Sequence, residues 1–256
     1  MQNKYPLLKQ INNDAYNALN ISEKLVIAGP CSVENYESLL EEANFLLNNG
    51  IKYLRAGAYK PRTSVHDFQG LGYEGLQILK RVKDETGIKI VTEIPDSSLI
   101  NEFDFVDIIQ VGARNMQNFS LLKALGATNK PIILKRGFGN TIDEWLSAAE
   151  YIVSQGNKNI ILCERGIKTF ESATRNTLDI SSVAIIKEYL NIPVIVDPSH
   201  AAGRTDIILP LSKASLAVGA DGLIIEVHYD PIKSYSDSQQ ALSFESFKNL
   251  ISELKL

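Results

Sequence analysis

Eight short apolar runs recur along the chain, and each ends in polar or charged side chains. The first is Leu25-Val26-Ile27-Ala28-Gly29-Pro30. It is continuous rather than alternating, as strands buried on both faces of a parallel sheet are. The second lies near residues 52–58. The third, 88–94, is stopped by Pro95, and the others span 106–112, 131–137, 159–166, 193–200 and 222–228. Between them lies enough chain for a helix and two loops each time. One helix should follow the first run and stop at Asn49-Gly50, and another should run from about Gly72 to Thr86-Gly87, since Gly is a natural C-terminal stop. Thr141-Ile142-Asp143-Glu144 reads as a capping box that opens a further helix. Eight strands alternating with helices predict an α/β fold, a single closed (β/α)₈ TIM barrel over residues 25–256. Residues 1–24 are polar and weakly patterned, and should form an N-terminal arm or a cap at the barrel bottom. A doubly wound open sheet is the alternative, but no Gly-x-Gly-x-x-Gly follows the first strand.

Composition narrows the picture. A chain of 256 residues suits one such barrel. The formal net charge of -4 argues against general nucleic-acid binding, so clustered cations must serve something local. Cys31 and Cys163 are the two cysteines, with no Cys-x-x-Cys, which does not suit a disulfide framework and fits a reducing compartment. The first residues lack the apolar core of a signal peptide, and no run approaches membrane-spanning length. A soluble, cytoplasmic protein with no nucleic-acid or membrane partner is expected.

Active groups of such barrels sit at the C-terminal ends of the strands. Those ends separate into two sets. Strands 2, 4, 5 and 6 supply Arg55, Lys60, Arg62, Arg114, Lys135, Arg136 and Arg165, with Thr63 and Ser64 beside Arg62. Fixed guanidinium forks, ammonium groups and hydroxyls suit anionic oxygens, above all phosphate. Seven converging cations imply substrates rich in negative charge, although Glu93, Glu164 and Asp197 could pair structurally with some of them. Strands 7, 8 and 1 supply His200, Glu226 and Cys31, with Asp237 eleven residues beyond Glu226. Barrel closure makes these strands neighbours. Thiolate, imidazole and carboxylates together suit a divalent transition metal rather than Mg²⁺ or Ca²⁺. Cys163 reads as core, and His66 and His228 are left open, with His228 a candidate outer-shell group.

Six motifs in order carry a resemblance to a known family: Ile27-Ala28-Gly29-Pro30-Cys31-Ser32, Lys60-Pro61-Arg62-Thr63-Ser64, Gly112-Ala113-Arg114-Asn115, Glu164-Arg165-Gly166, Asp197-Pro198-Ser199-His200 and Ile225-Glu226-Val227-His228. From about Leu25 onward the chain resembles the 3-deoxy-D-arabino-heptulosonate 7-phosphate (DAHP) synthases. It is most similar to the compact type I branch that resembles the 3-deoxy-D-manno-octulosonate 8-phosphate (Kdo8P) synthases. The resemblance implies condensation of phosphoenolpyruvate with erythrose 4-phosphate, the entry step of aromatic amino acid biosynthesis. It implies that Arg114, Lys135 and Arg165 hold phosphoenolpyruvate, with Arg55, Lys60 and Glu93 beside them. Arg62, Thr63 and Ser64 would hold the aldose phosphate. Cys31, His200, Glu226 and Asp237 would hold a divalent ion, Mn²⁺ or another transition metal such as Fe²⁺, Co²⁺ or Zn²⁺. The catalytic assignment falls on Lys60, Arg55 and His200, with Lys60 the candidate proton donor to the new hydroxyl.

Two rivals stand beside this reading: a Kdo8P synthase using arabinose 5-phosphate, and a non-catalytic barrel that binds phosphometabolites. Octulosonate enzymes resemble Lys-Ala-Asn-Arg-Ser-Ser where this chain has Lys60-Pro61-Arg62-Thr63-Ser64. Pro61 cannot replace the hydrogen bonds of that Asn. Metal-free octulosonate enzymes carry Asn where Cys31 stands. The family further suggests a homotetramer or homodimer. About 24 residues precede the first strand, fewer than the roughly 50 an independent regulatory domain needs. The chain alone is therefore expected to be insensitive to aromatic amino acids, chorismate and prephenate, with a separate chorismate mutase as the regulator if there is one.

Overall fold

The computed structural model describes residues 4–256; residues 1–3 of the expected arm lie outside them. The eight apolar runs form β1 (Leu25–Gly29), β2 (Tyr53–Arg55), β3 (Lys89–Glu93), β4 (Ile108–Val111), β5 (Ile132–Lys135), β6 (Ile160–Glu164), β7 (Val194–Val196) and β8 (Gly222–Glu226). They pair in parallel and in sequence order, and the sheet closes through β1 on β8, with Leu25 opposite Gly222 and Gly29 opposite Glu226. The (β/α)₈ barrel is therefore present.

Side chains alternate along each strand. Leu25, Ile27, Tyr53, Val91, Ile108, Ile133, Ile161, Cys163, Ile195 and Ile224 fill the barrel interior. Their neighbours, such as Val26, Ala28, Leu54 and Ile90, face the helices and form the larger outer core. Both faces are buried, which is why the strands read as continuous apolar runs. Cys163 is part of the interior packing, as its place in an apolar strand suggested.

Helices α1 (Asp14–Leu19), α2 (Tyr36–Asn48), α3 (Tyr73–Thr86), α4 (Phe119–Gly126), α5 (Ile142–Val153), α6 (Ile180–Tyr189), α7 (Pro198–Ala202), α8 (Ile208–Ala217) and α9 (Phe244–Leu254) complete the chain. The capping box holds: Thr141 Oγ1 accepts from Glu144 N, and the Glu144 carboxylate accepts from Thr141 N at 2.8 Å. Gly87 ends α3 in the left-handed conformation that glycine adopts readily. The N-terminal segment runs along α5, where Tyr5 donates to Asp143 at 2.6 Å and Leu7 N donates to Glu150 at 3.0 Å. Ala15 and Leu19 of α1 then pack into the bottom of the barrel interior.

Two sequence expectations need correction. The strands are shorter than the apolar runs; β2 in particular ends at Arg55, because Ala56 to Ala58 already leave the sheet toward the loop. The seventh run does not continue as a strand to His200. Asp197 caps α7, its side chain accepting from His200 N at 2.9 Å, and Pro198 takes the first helical position. Proline suits that position because its missing N–H has no helical partner there.

Candidate active site at the barrel mouth

The strand ends bring the two sets of polar residues to one mouth. Beyond the strands, the loops after β1 and β2 stay paired: Gly57 N donates to Cys31 O at 3.2 Å and Val33 N donates to Gly57 O at 3.0 Å. Gly29 permits this approach. Its φ is +142°, and a Cβ there would lie 2.3 Å from Arg55 O. The result places Lys60 Nζ 2.9 Å from both the Cys31 sulfur and its carbonyl oxygen. The loop that carries Lys60 to Ser64 and the cluster of Cys31, Glu226 and Asp237 thus meet at one place.

Cys31 Sγ and one oxygen each of Glu226 and Asp237 lie within 4.8 Å of one another. His200 stands at the edge of this group, its Nε2 3.4 Å from Glu226 Oε1. Cys31 Sγ donates to Asp237 Oδ2 at 3.0 Å. Burial, reinforced by Glu226 and Asp237, pushes the Cys31 thiol up to about 11. Burial would also raise Glu226 and Asp237, but neighbouring cations, Arg55 and Lys60 at the first and Arg175 and Lys60 at the second, hold both below their usual values. Burial keeps the His200 imidazole in its neutral form against the pull of Asp197 and Glu226. A neutral imidazole, two ionised carboxylates and a thiol held beside an ammonium fit a divalent ion of borderline softness.

His200 Nδ1 lies 2.7 Å from Asp197 Oδ2, yet it is not aligned for a hydrogen bond and has no hydrogen-bond partner. The contact still fixes which nitrogen faces Glu226. A carboxylate behind a ligating histidine is a usual arrangement at metal centres. Sequence reasoning took Asp197 only as a possible cation partner. The signal was present in the Asp-x-x-His spacing at a helix N-terminus.

The cations divide by partner. Arg55 is ion-paired with Glu226, both fully buried. Lys135 Nζ lies 2.6 Å from Asp197 Oδ2. Arg62 reaches Asp237 at 3.9 Å and donates to Phe68 O at 3.1 Å. Arg114 and Arg165 have no carboxylate partner among the described residues, and both flank the Phe138 ring, at 5.3 and 4.6 Å. Phe138 was not foreseen; it orients two guanidinium groups that would otherwise repel. Arg114 also reaches Thr63 Oγ1 at 3.4 Å, while the Ser64 hydroxyl accepts from His66 N. Glu93 accepts from Gln110 at 2.9 Å rather than pairing with a cation. Gly112 makes room for it, since a Cβ there would lie 2.1 Å from Glu93 Oε1.

Several residues fall outside the site. Arg136 is held by Glu164 at 3.0 Å and Asp179 at 2.7 Å, and Arg204 pairs with Asp206 at the exposed rim. His228 is buried but engaged elsewhere: Nδ1 accepts from Asp230 N and Nε2 lies 3.3 Å from Glu34. His66 is exposed. A concavity of about 1090 Å³ lies at the opposite end of the barrel, among Lys24, Lys52, Tyr53 and Lys89. It holds none of these converging groups, so the chemistry places the site at the mouth.

No helix among the described residues is long and apolar enough to cross a membrane. Residues 18–255 match the family described as DAHP synthetase I. The chain is 57% identical over 231 residues to a phospho-2-dehydro-3-deoxyheptonate aldolase from Thermotoga maritima, covering 90% of this chain and 68% of the relative. It is 32% identical to a 2-dehydro-3-deoxyphosphooctonate aldolase from Legionella pneumophila strain Corby, covering 90% of each. The crystal structure of the Thermotoga maritima DAHP synthase superposes with a TM-score of 0.88 at 55% identity, over 91% of this chain and 68% of that one. A truncated form of the synthase from the same organism gives 0.84 at 52% identity, covering 91% and 86%. With the barrel, the ordered motifs and the match over nearly the whole chain, this protein belongs to the DAHP synthetase I family.

Proposed function

We propose that the chain condenses phosphoenolpyruvate with erythrose 4-phosphate, giving 3-deoxy-D-arabino-heptulosonate 7-phosphate and inorganic phosphate. The observation that carries this is the meeting of the two sets at Lys60 and Cys31, 2.9 Å apart. It couples an anion-binding loop to a divalent-ion cluster, as joining a phosphorylated enol to a phosphorylated aldehyde requires. The choice of the four-carbon aldose follows from Pro61 and from the 57% identity to a heptonate enzyme against 32% to an octonate enzyme.

Carbon 3 of phosphoenolpyruvate forms the new bond to the aldehyde carbon, whose oxygen takes a proton to become a hydroxyl. Water adds at carbon 2 and the carbon–oxygen bond to phosphate breaks. Arg114 and Arg165, which have no carboxylate partner among the described residues, take the phosphate and carboxylate of phosphoenolpyruvate, with Lys135 beside them. Fixed cations offset the repulsion between two anionic substrates and orient them. Arg62, Thr63 and Ser64 take the aldose phosphate. Lys60, beside the Cys31 sulfur, is the group that gives the proton to the new hydroxyl in this reading. Cys31, His200, Glu226 and Asp237 hold a divalent ion, Mn²⁺ or a similar transition metal, which when bound supplies Lewis-acid polarisation of the aldehyde oxygen. A homotetramer or homodimer, and regulation by a separate chorismate mutase, belong to the same reading.

The deciding measurement is kcat/KM with erythrose 4-phosphate and with arabinose 5-phosphate, following release of inorganic phosphate. A clear preference for erythrose 4-phosphate is expected. Equal or better turnover of arabinose 5-phosphate would assign the octulosonate reaction instead. No phosphate release with either would leave a binding barrel.

A further inference from the structure

Asp237 and Gln240 are the two ends of one tight turn: Gln240 N donates to Asp237 O at 3.1 Å, and Asp237 adopts the left-handed conformation at φ +55°. Both side chains point toward the ligand cluster. Arg175, from the loop between β6 and α6, crosses them with one nitrogen, Nη1, which donates to Asp237 Oδ1 at 3.1 Å and Gln240 Oε1 at 2.9 Å. The amide of Gln240, itself buried, then donates through Nε2 to Glu226 Oε2. Its orientation is forced, because a guanidinium only donates and a carboxylate only accepts.

The chain of bonds has a specific effect on the two carboxylates. Asp237 Oδ1 and Glu226 Oε2 are occupied from outside the site. The other oxygens turn inward: Asp237 Oδ2 toward Cys31 Sγ, and Glu226 Oε1, which is also the oxygen ion-paired with Arg55, toward His200 Nε2. Each carboxylate therefore offers one oxygen in a fixed direction. The loop does not need the Gln240 side chain to hold its path. Backbone bonds already anchor it, from Leu242 N to Glu226 O and from His228 N to Leu242 O, both at 2.9 Å. A Glu at this position would set a third negative charge beside Glu226 and Asp237, whereas the amide joins them without adding charge.

We infer that Gln240, oriented by Arg175, is a positioning residue that sets Glu226 and Asp237 as single-oxygen ligands of the divalent ion. The inference rests on the proposal that Cys31, His200, Glu226 and Asp237 hold that ion. Nothing in the six sequence motifs pointed to either residue.

The test is Co²⁺ titration of the metal-stripped full-length protein, read by the thiolate-to-cobalt charge-transfer absorption and without substrate. Gln240→Met removes both hydrogen bonds at nearly constant length. It should weaken Co²⁺ binding about 10- to 100-fold, the range for outer-shell partners of metal ligands. The absorption at saturation should persist and the melting temperature of the metal-stripped protein should stay close to wild type. Arg175→Met, at a side chain 39% exposed, should fold in any case and weaken binding in the same direction. The double variant should bind somewhat more weakly than Gln240→Met alone, because Arg175 also holds Asp237 Oδ1 directly, but by less than the two single effects combined, since the Arg175–Gln240 contact is shared. Wild-type affinity in both single variants would overturn the positioning role. A lowered melting temperature with unchanged Co²⁺ affinity would do the same, by making the contacts purely structural. A wild-type protein with no Cys31-dependent absorption would instead remove the four-ligand reading beneath the proposal.

Discussion

Two walls of the barrel mouth carry buried charge at strand ends, and they are built differently. At the ends of β5 and β6, Arg136 gives Nη1 to Glu164 and Asp179 and Nε to Asn140 O. Glu164 in turn accepts from Gly166 N at 2.8 Å and from Ser182 Oγ at 3.3 Å. Among the described residues this network is closed: each charge has a fixed counter-charge and few open positions. At the ends of β7, β8 and β1 the charges are as deeply buried, but His200 Nδ1 has no hydrogen bond and a thiol bridges an ammonium and a carboxylate. Buried polar groups are normally satisfied, and the exceptions ask for a reason. The contrast separates a wall whose charges are matched to one another from one that gathers a thiol, an imidazole and two carboxylates on one point.

The largest expected effect breaks the closed wall. Arg136→Met leaves Glu164 buried without its cation, and should cost about 3–5 kcal/mol of stability. Turnover per folded molecule should change little, because the Arg136 guanidinium is taken up by Glu164 and Asp179 and touches none of the Cys31, Glu226 and Asp237 cluster. Urea unfolding together with kcat of the folded fraction checks this. A collapse of kcat at unchanged stability would move Arg136 to the substrate side.

The reverse is expected at the open wall. Cys31→Ala removes one small buried group and should cost only about 1 kcal/mol in stability, at the low end for core truncations. Activity should fall more than about 100-fold, beyond the range for outer-shell partners, since a ligand itself is lost. Metal content and kcat after chelation and Mn²⁺ return give the readout. Full activity of wild-type protein confirmed metal-free would sink the assignment.

The two walls were unequally legible in the sequence. The strands were readable because burial on both faces leaves little freedom except β-branched and aliphatic residues, as in Ile160-Ile161-Leu162. The capping box at Thr141 was readable because it is a local exchange of bonds over three residues. Cys31, His200 and Glu226 could be grouped because strand order alone makes their strands neighbours. Strand ends were overrun, since an apolar residue gives no sign of where the ladder stops. His200 was set in a strand although Asp197-Pro198 carries both a cap and a first-turn proline. Arg175 and Gln240 escaped notice because they meet from loops 65 residues apart. Neither lies on a periodic face or at a strand end, and only folded geometry joins them.

A third buried cluster sharpens the comparison, because it belongs to neither kind of wall. Glu42 of α2 is buried and accepts a hydrogen bond from Tyr229 N at 3.2 Å, beneath the loop that carries Asp237. It has no cation partner among the described residues; Glu34 and Glu41 are the charged groups acting on it, and Glu34 is itself engaged by His228. Burial raises the Glu42 carboxyl well above its usual range, the Tyr229 N–H opposes this, and the two carboxylates reinforce it. The folded protein therefore holds a proton that the unfolded chain releases above about pH 4.3, the ordinary glutamate value. This contribution to stability is fully present below that pH and is lost as pH rises through the folded-state value. Glu42→Gln keeps the acceptor for Tyr229 N and cannot ionise. Near pH 4 the two proteins should agree to within about 1 kcal/mol, the scale of one hydrogen bond. As pH rises toward 8 the Gln variant should become progressively more stable than wild type in urea unfolding. Residues with depressed values, such as Asp197, work in the opposite direction but are common to both proteins and cancel in the difference. A gap that stays constant from pH 4 to 8 would mean that Glu42 is ionised in the folded state. The cluster would then be satisfied by its surroundings, as the Arg136 wall is.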